Sequence, residues 1–313
     1  MGRLRHVPFI IGEPGRLAAE VHVGTPLGAS AGPEIELAEH DLRGFAVRAA
    51  SIRGLSHRQR GTERQDAFLC SWDEARGVLL VAVADGVGSK KRSREASTSA
   101  VRVAVEAWSR GQIDLKDVVR EVNEYLLESV PRNEDGYRVG ATTLTLAEIP
   151  IESGGLGNAR VAWVGDTPVW TLSGGIWAET TPQDDDADGF AAPISALPAT
   201  NLEVLSAVAP VASGAIFVMT DGVGNAIRNS SEARASLAEW WAEPPGVYTF
   251  GAQVEFARRS FVDDRTVVGV WAERGDQLPV GERPTADTPS ESKPPAAEQH
   301  EANQAASFED HAD

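Results

Sequence analysis

The sequence predicts an α+β protein in which antiparallel β-sheets carry α-helices on their outer faces. From Phe45 to Trp271, many short apolar segments follow one another with only turn residues between them. Adjacent short strands without intervening helices favour antiparallel pairing, whereas a doubly wound parallel sheet needs a helix between successive strands. Helical spacing of apolar residues is confined to a few longer segments, which we expect to pack outside the sheets.

The strands are predicted from apolar runs that end at turn residues. The first are FAVRAASIRG, DAFLCSW and GVLLVAVADG, the last of which stops at Asp85-Gly86. Further strands are predicted at ATTLTLAEI, ARVAWVGD, PVWTLSGG, IWAET, LEVLSAV and AIFVMTDG. The segment RTVVGVWA then closes the folded region as its last strand.

Two amphipathic helices are predicted between the early and the later strands. In SREASTSAVRVAVEAWSRG, apolar residues such as Ala96, Ala100 and Val103 recur near the helical period, and LKDVVREVNEYLLESV repeats this behaviour. The segments SEARASLAEWW and VYTFGAQVEFARRSF indicate further helices before the last strand.

Composition divides the chain into three parts. Residues 1–44 hold scattered Gly and Pro with little periodicity, which predicts a partly ordered N-terminal extension. Residues 45–272 hold the predicted strands and helices and form the expected folded domain. Residues 273–313 are rich in Pro, Ala, Ser and acids, and they cannot bury enough apolar surface to offset the entropy of ordering. We therefore expect a disordered acidic tail.

Charge and cysteine content exclude several functions. The 29 basic residues against 46 acidic ones give a formal charge of −17, which repels nucleic acid and anionic lipid at long range. The single cysteine, Cys70, excludes an intramolecular disulfide and a cysteine-built zinc site. No apolar run approaches the roughly 18 to 20 residues of a membrane span, and we expect a cytoplasmic protein.

Aspartates recur where predicted strands end or begin. Asp85, Asp166 and Asp221 follow apolar strands, while Asp66 and Asp263 come just before strands. A single Asp-Gly is most often only a turn. Several partly buried carboxylates that converge would repel one another strongly, and divalent cations such as Mg²⁺ or Mn²⁺, which prefer oxygen ligands, remove that repulsion. The repetition therefore predicts a metal site.

The ordered series RQDAF, VADGVG, GATTLT, VGDTP, MTDGVG and DDRTVV resembles the metal-dependent serine/threonine protein phosphatases of type 2C, in their bacterial branch, over about residues 45–272. The resemblance implies a sandwich of two antiparallel β-sheets flanked by α-helices. It also implies hydrolysis of phosphoserine and phosphothreonine by water or hydroxide activated at a binuclear Mn²⁺ or Mg²⁺ centre. The implied partners are a phosphorylated protein and a Ser/Thr protein kinase, for a monomer with no nucleic-acid or membrane partner.

The resemblance also implies roles for the metal ligands. Asp85 would bridge the two metals, and the carbonyl of Gly86 would bind the second. Asp221 and Asp263 would complete the first metal site. Asp166 would lie with Asp221 at a weaker third site.

Two further catalytic roles follow from the resemblance. Asp66 would either hold a metal-bound water or help bind the second metal. A basic residue of RGLSHRQRGTERQD would bind the substrate phosphate; Arg60 is the first choice, with His57 and Arg58 as rivals. For any single one of these residues, a solvated basic loop is the simpler interpretation.

The chain departs from the family pattern at several positions. Gln65 stands where many members carry glutamate, Thr167-Pro168 replaces Ser-Arg, and Asp264 replaces asparagine, adding a negative charge to the site. The segment TTPQDDDADGF, in the place of the family's mobile flap, carries four acids, Asp184, Asp185, Asp186 and Asp188. Gln65 and Pro168 keep open the alternative of a catalytically weak or dead member that binds phosphoproteins as a regulator.

Overall fold

Two antiparallel β-sheets packed face to face form the centre of the molecule. The computed structural model describes residues 9–16, 34–42, 44–88, 90–112, 114–152, 155–182, 195–211 and 214–272. The strands of the first sheet are β1 (Ile35–Leu42), β2 (Phe45–Ile52), β8 (Val169–Ser173), β9 (Ile176–Glu179), β11 (Ala215–Met219) and β12 (Arg265–Ala272). Their order is β1-β2-β12-β11-β8-β9, and every neighbouring pair is antiparallel.

The second sheet is also antiparallel throughout. Its strands are β3 (Ala67–Asp73), β4 (Val78–Ala84), β5 (Leu144–Glu152), β6 (Gly155–Leu156), β7 (Ala159–Val164) and β10 (Leu205–Ala209). They lie in the order β10-β7-β5-β4-β3, with the short β6 paired to β5. The two-sheet sandwich that the sequence predicts is confirmed.

Helices cover the outer face of each sheet. They are α1 (Leu55–Arg60), α2 (Ser93–Ser109), α3 (Leu115–Ser129), α4 (Asp221–Asn229), α5 (Ser231–Trp240) and α6 (Val247–Val254). The helices α2 and α3 pack on the second sheet, and α4, α5 and α6 pack on the first. Among the described residues, no helix is both long enough and apolar enough to cross a membrane.

Burial on both faces explains why the central strands read as unbroken apolar runs. In β4, Leu79 and Val81 face the other sheet, while Leu80 and Ala82 face α2 and α3. Successive side chains of a strand point to opposite faces, so a strand between two apolar layers has no polar side. The rigid central layer thus fixes the positions at which the strands end.

Three elements differ from the sequence-based expectations. The strand β1 belongs to the first sheet although it lies within the predicted extension 1–44, and α1 is a helix where a basic loop was expected. The helix α6 ends at Val254, earlier than predicted, because the buried guanidinium of Arg265 donates to the carbonyl oxygens of Val254, Phe256 and Phe261. The division of the chain into three parts stays a prediction, and the acidic tail lies outside the described residues.

Glu34, which directly precedes β1, holds the short helix α1 in place. Its carboxylate accepts hydrogen bonds from Arg53 and from Nε of Arg58, the latter at 3.0 Å. Arg58 also donates to Glu255 at 2.8 Å. Both arginines are buried, so their charges depend on these carboxylates for neutralisation. The N-terminal strand and α1 therefore form one unit.

We expect Glu34→Gln to lower the free energy of unfolding by about 3 kcal/mol, because it leaves two buried guanidinium groups short of a counter-charge. The matched control is Glu106→Gln, whose ion pair with Arg102 is about half exposed and contributes less than about 0.5 kcal/mol. Urea denaturation measures both. Equal stability of the two variants would contradict the structural role of Glu34.

Candidate metal centre

Five aspartates lie at one end of the sandwich because antiparallel strands bring the end of one strand beside the start of the next. Asp85 follows β4, and Asp66 precedes its neighbour β3. Asp221 follows β11, and Asp263 precedes the neighbouring β12. Asp166 follows β7, whose partner β5 begins beside the end of β4. Strand pairing thus gathers the aspartates within each sheet, and the face-to-face packing of the two sheets brings both groups to the same end.

Burial raises the pKa of four of these carboxyls, and neighbouring charges add to the effect on Asp66, Asp85 and Asp221. Burial first, and then the charges of Asp66, Asp221, Asp166 and Asp263, raise the pKa of Asp85 well above its usual value. Burial and the charges of Asp166 and Asp263 raise the pKa of Asp221 to about 6, against the effect of a hydrogen bond with Asp85. Burial also raises the pKa of Asp166, although the charge of Arg228 opposes the shift. The structure therefore brings together all five aspartates that the sequence singles out.

Asp66 is held by two threonines and keeps one oxygen unused. Its Oδ2 accepts hydrogen bonds from Thr220 Oγ1 at 2.8 Å and Thr266 Oγ1 at 2.9 Å. Its Oδ1 is buried without a hydrogen-bond partner among the described residues. Burial, followed by the charge of Asp264, raises the pKa of this carboxyl well above its usual value. A cation or an ordered water is the natural partner of such an oxygen.

The backbone around Asp85 is fixed by the strand that follows α3. Its amide donates to Thr143 Oγ1 at 3.0 Å, and its carbonyl accepts from the amide of Thr143 and from Thr142 Oγ1, both at 2.8 Å. A β-carbon on the next residue, Gly86, would lie only 2.7 Å from the carbonyl oxygen of Gln65. Only glycine therefore allows the segments that carry Asp85 and Asp66 to approach this closely.

Asp264 ties two segments together and also adds its charge to the centre. Its Oδ1 accepts from the amide of Gly54 and its Oδ2 from the amide of Gln65, both at 2.6 Å, which joins α1 to the Asp66 segment. Its charge contributes to the raised pKa of Asp66, as expected from the sequence. Sequence alone could not reveal the two hydrogen bonds, since their donors are about 200 residues away in the chain.

His57 lies beside this carboxylate and beside Asp263. Its Nδ1 is 2.9 Å from Asp264 Oδ2, and its Nε2 is 3.8 Å from Asp263 Oδ1. Ligand atoms of these three residues lie within 4.8 Å of one another. Burial lowers the pKa of His57, but the two aspartates outweigh that effect and raise it overall. The sequence suggests this histidine only as a ligand for phosphate and does not reveal its position beside Asp263.

The basic residues near α1 differ sharply in exposure. Arg53 and Arg58 are buried in ion pairs, which removes Arg58 as a rival for phosphate. Arg64 is also buried, with Nη1 donating to the carbonyl of Ser51 at 2.9 Å. Arg60 is exposed at the end of α1, and its charge is close enough to act on His57. Among the described residues, Arg60 takes part in none of the ion pairs that hold its neighbours.

The Thr167-Pro168 pair forms a well-bonded turn after Asp166. Thr167 Oγ1 lies 2.6 Å from Thr143 Oγ1, and its carbonyl accepts from Thr145 Oγ1 at 2.7 Å. The carbonyl of Pro168 accepts from the amide of Met219 at 3.1 Å. The departure from the family pattern thus fixes the turn that carries Asp166. The predicted flap acids, Asp184, Asp185, Asp186 and Asp188, lie outside the described residues.

The donor atoms of the centre fit hard divalent cations. They are carboxylate oxygens that repel one another, together with two buried oxygens that have no hydrogen-bond partner among the described residues, Asp66 Oδ1 and Gln65 Oε1. Divalent cations remove the repulsion and satisfy unpartnered oxygens. The chemistry of the site therefore agrees with metal binding.

Comparison with known proteins identifies the family of this chain and its fold. The sequence profile described as "Protein phosphatase 2C" matches residues 53–248. The S. agalactiae serine/threonine phosphatase is similar over 73% of this chain and 100% of its own, with a TM-score of 0.55 and 19% identity. A bacterial serine phosphatase matches over 74% of this chain and 99% of its own, with a TM-score of 0.52 and 14% identity.

A third similar structure is PppA, a key regulatory component of T6SS in Pseudomonas aeruginosa. It matches over 74% of this chain and 98% of its own, with a TM-score of 0.50 and 18% identity. At these identities the structural similarities establish the fold. No curated protein sequence matches the chain.

The sandwich and its acidic end are those of a metal-dependent protein serine/threonine phosphatase. The chain belongs to the protein phosphatase 2C family, since the family profile matches well over half of its residues. The family predicted from the ordered motifs is thereby confirmed.

The shifted pKa of Asp221 predicts how the metal-free protein responds to pH. The folded carboxyl has a pKa of about 6 against a usual 3.8, so the folded state holds more protons between these values and its stability falls as pH rises through this window. We expect metal-free Asp221→Asn to be more stable than metal-free wild type at pH 7 by about 2 kcal/mol, with the difference closing near pH 4.

Thermal unfolding in excess chelator at both pH values measures this difference. Asp135→Asn, at an exposed position in the loop before β5, is the control and should match wild type at each pH. If Asp221→Asn is instead less stable than wild type at pH 7, burial and repulsion of the ionised Asp221 do not lower the stability of the metal-free protein.

Proposed function

We propose that the protein hydrolyses phosphoserine and phosphothreonine in proteins at a binuclear Mn²⁺ or Mg²⁺ centre. The observation that carries this proposal is the convergence of five aspartates, in which burial and the charges of the other four raise the pKa of Asp85. Such a cluster is costly in a protein without cations, and it is a suitable receptor for them. When bound, the cations supply Lewis acidity toward water and neutralise charge on the phosphoryl group.

Each aspartate has a proposed role in holding the cations. The charges of the other four aspartates act on Asp85, which suits a residue that bridges the two cations. The carbonyl of Gly86 would add a ligand to the second cation. Asp221 and Asp263 complete the first site. Asp166 acts with Asp221 at a weaker third site, which their mutual repulsion supports.

Asp66 is proposed to orient the attacking water. Its Oδ2 is occupied by Thr220 and Thr266, so the carboxylate cannot rotate freely, and its unpartnered Oδ1 can accept a hydrogen bond from water. The same oxygen could instead help bind the second cation, as the family resemblance also allows. In both cases the two threonines set the direction of Oδ1.

The proposed partners come from the family resemblance, and the charge of the chain bears on nucleic acid. We propose a phosphorylated protein as substrate and a Ser/Thr protein kinase as the opposing enzyme, for a monomeric protein of the cytoplasm. The excess of acidic residues, 46 against 29 basic ones, disfavours nucleic acid as a partner. The alternative is a catalytically weak or dead regulator. Loss of a metal-binding aspartate would favour it, but all five aspartates are retained.

Hydrolysis of p-nitrophenyl phosphate tests the proposal most directly. We expect activity with Mn²⁺, loss of activity in chelator, and a fall on the order of 100-fold or more in kcat/KM for Asp221→Asn, because a metal ligand is removed. Asp135→Asn should keep full activity. Absence of activity in wild type with either Mn²⁺ or Mg²⁺ would favour the regulator.

The exposed Arg60 is proposed to bind the substrate phosphate. With a phosphothreonine peptide, Arg60→Ala should raise KM about tenfold while kcat changes less than about threefold, because a charge-assisted contact to phosphate is lost. Arg102→Ala, on the exposed face of α2, is the matched control. An unchanged KM for Arg60→Ala would transfer the role to another cation.

A further inference from the structure

His57 lies beside the aspartates of the centre, although carboxylates alone could bind the cations without a histidine. We propose that His57 Nε2 and Asp263 Oδ1 bind the same divalent ion. This side of the centre is then a mixed nitrogen and oxygen site that prefers a transition metal such as Mn²⁺ to Mg²⁺. The inference rests on the proposed metal-binding role of Asp263.

The separation of the two ligand atoms fits a shared cation. His57 Nε2 and Asp263 Oδ1 lie 3.8 Å apart, which is too long for a hydrogen bond. Two ligands with bonds of about 2.1 Å to one ion lie between about 3.0 Å apart, when adjacent, and about 4.2 Å, when opposite. The observed distance falls inside this range. Asp263 is largely exposed, so its carboxylate can adjust while the buried His57 stays fixed.

The ring of His57 is oriented by a carboxylate on its other side. Nδ1 lies 2.9 Å from Asp264 Oδ2, and Asp264 is itself fixed by the amides of Gly54 and Gln65 at 2.6 Å. The Nδ1 contact does not have the geometry of a hydrogen bond, but the charge of Asp264 favours the proton at Nδ1 and leaves Nε2 as the metal ligand. Asp264 is therefore a positioning residue for His57, which is only 5% exposed.

Gln65 leaves a buried oxygen without a partner near the same loop. Its side chain is 6% exposed, and its Oε1 has no hydrogen-bond partner among the described residues. A β-carbon built on Gly88, in the loop after Asp85, would lie 3.8 Å from Gln65 Oε1 and 3.8 Å from His57 Nε2. Both atoms therefore lie beside this loop, where a bound cation with its water ligands would give the buried oxygen a partner.

The chemistry of the ligands determines which ions fit. An imidazole nitrogen suits Zn²⁺ and Fe²⁺ best, and Mn²⁺, although it favours oxygen ligands, accepts one more readily than Mg²⁺, which keeps to oxygen ligands and water. The competing interpretation is that a charged His57 pairs with Asp263 and Asp264 and only supports the loop. That interpretation predicts oxygen ligands alone on every bound ion.

Pulsed electron paramagnetic resonance of the Mn²⁺-loaded full chain separates the two interpretations. We expect modulation from a directly bound ¹⁴N nucleus, and its replacement by a ¹⁵N signal when wild type is labelled with ¹⁵N-histidine. His57→Gln should remove the signal and weaken Mn²⁺ binding about tenfold or more in calorimetric titration, while Mg²⁺ binding changes less than about twofold. His40→Gln, at an exposed position of β1, should change neither.

The outcomes are distinguishable from failure of the proposed function. If Mn²⁺ binds and supports hydrolysis but wild type shows no coupled nitrogen, the inference is overturned and the proposed function stands. A nitrogen signal that persists in folded His57→Gln overturns it as well. If only Mg²⁺ binds and supports hydrolysis, the inference fails and the proposed function stands; if neither Mn²⁺ nor Mg²⁺ binds to wild type, both proposals fail. The labelled wild-type spectrum needs no variant, so a folding defect in His57→Gln leaves the inference falsifiable.

Discussion

The repulsion among carboxylates at one end of the sandwich is the constraint on which the rest of the structure depends. Asp85, Asp221 and Asp166 are largely removed from water, and the neighbouring charges make ionisation of the first two more costly still. A loosely packed protein would relieve this repulsion by moving the segments apart. Here the segments are fixed by strand pairing, by close glycine contacts and by buried hydrogen bonds. The fold therefore keeps the negative charge concentrated until cations neutralise it.

The supporting interactions divide into two kinds. Apolar packing between the sheets and under the helices fixes where the strands end, and it needs no particular polar residue. Polar contacts then set the direction of individual side chains, as Thr220 and Thr266 do for Asp66 and as Asp264 does for His57. Apolar packing fixes the position of the centre, and the polar contacts fix the orientation of its side chains.

Sequence reasoning found what local patterns encode. The inner strands read as apolar runs, and the aspartates stand out because they follow or precede those runs. It missed β1, because most of that strand's side chains are exposed and carry no apolar signal, and α1, because its buried residues are charged. It missed the hydrogen bonds of Asp264 with the amides of Gly54 and Gln65, because only tertiary folding brings these residues near. The position of His57 beside Asp263 is hidden for the same reason.

The place of β12 in the first sheet has a consequence for biosynthesis. This last strand lies between β2, near the start of the domain, and β11, so it joins two parts of the sheet that otherwise do not touch through strand pairing. A ribosome-bound chain that lacks β12 also lacks the partner beside which Asp221 and Asp263 meet. The nascent polypeptide therefore cannot bring all five aspartates together until residues 265–272 have left the exit tunnel.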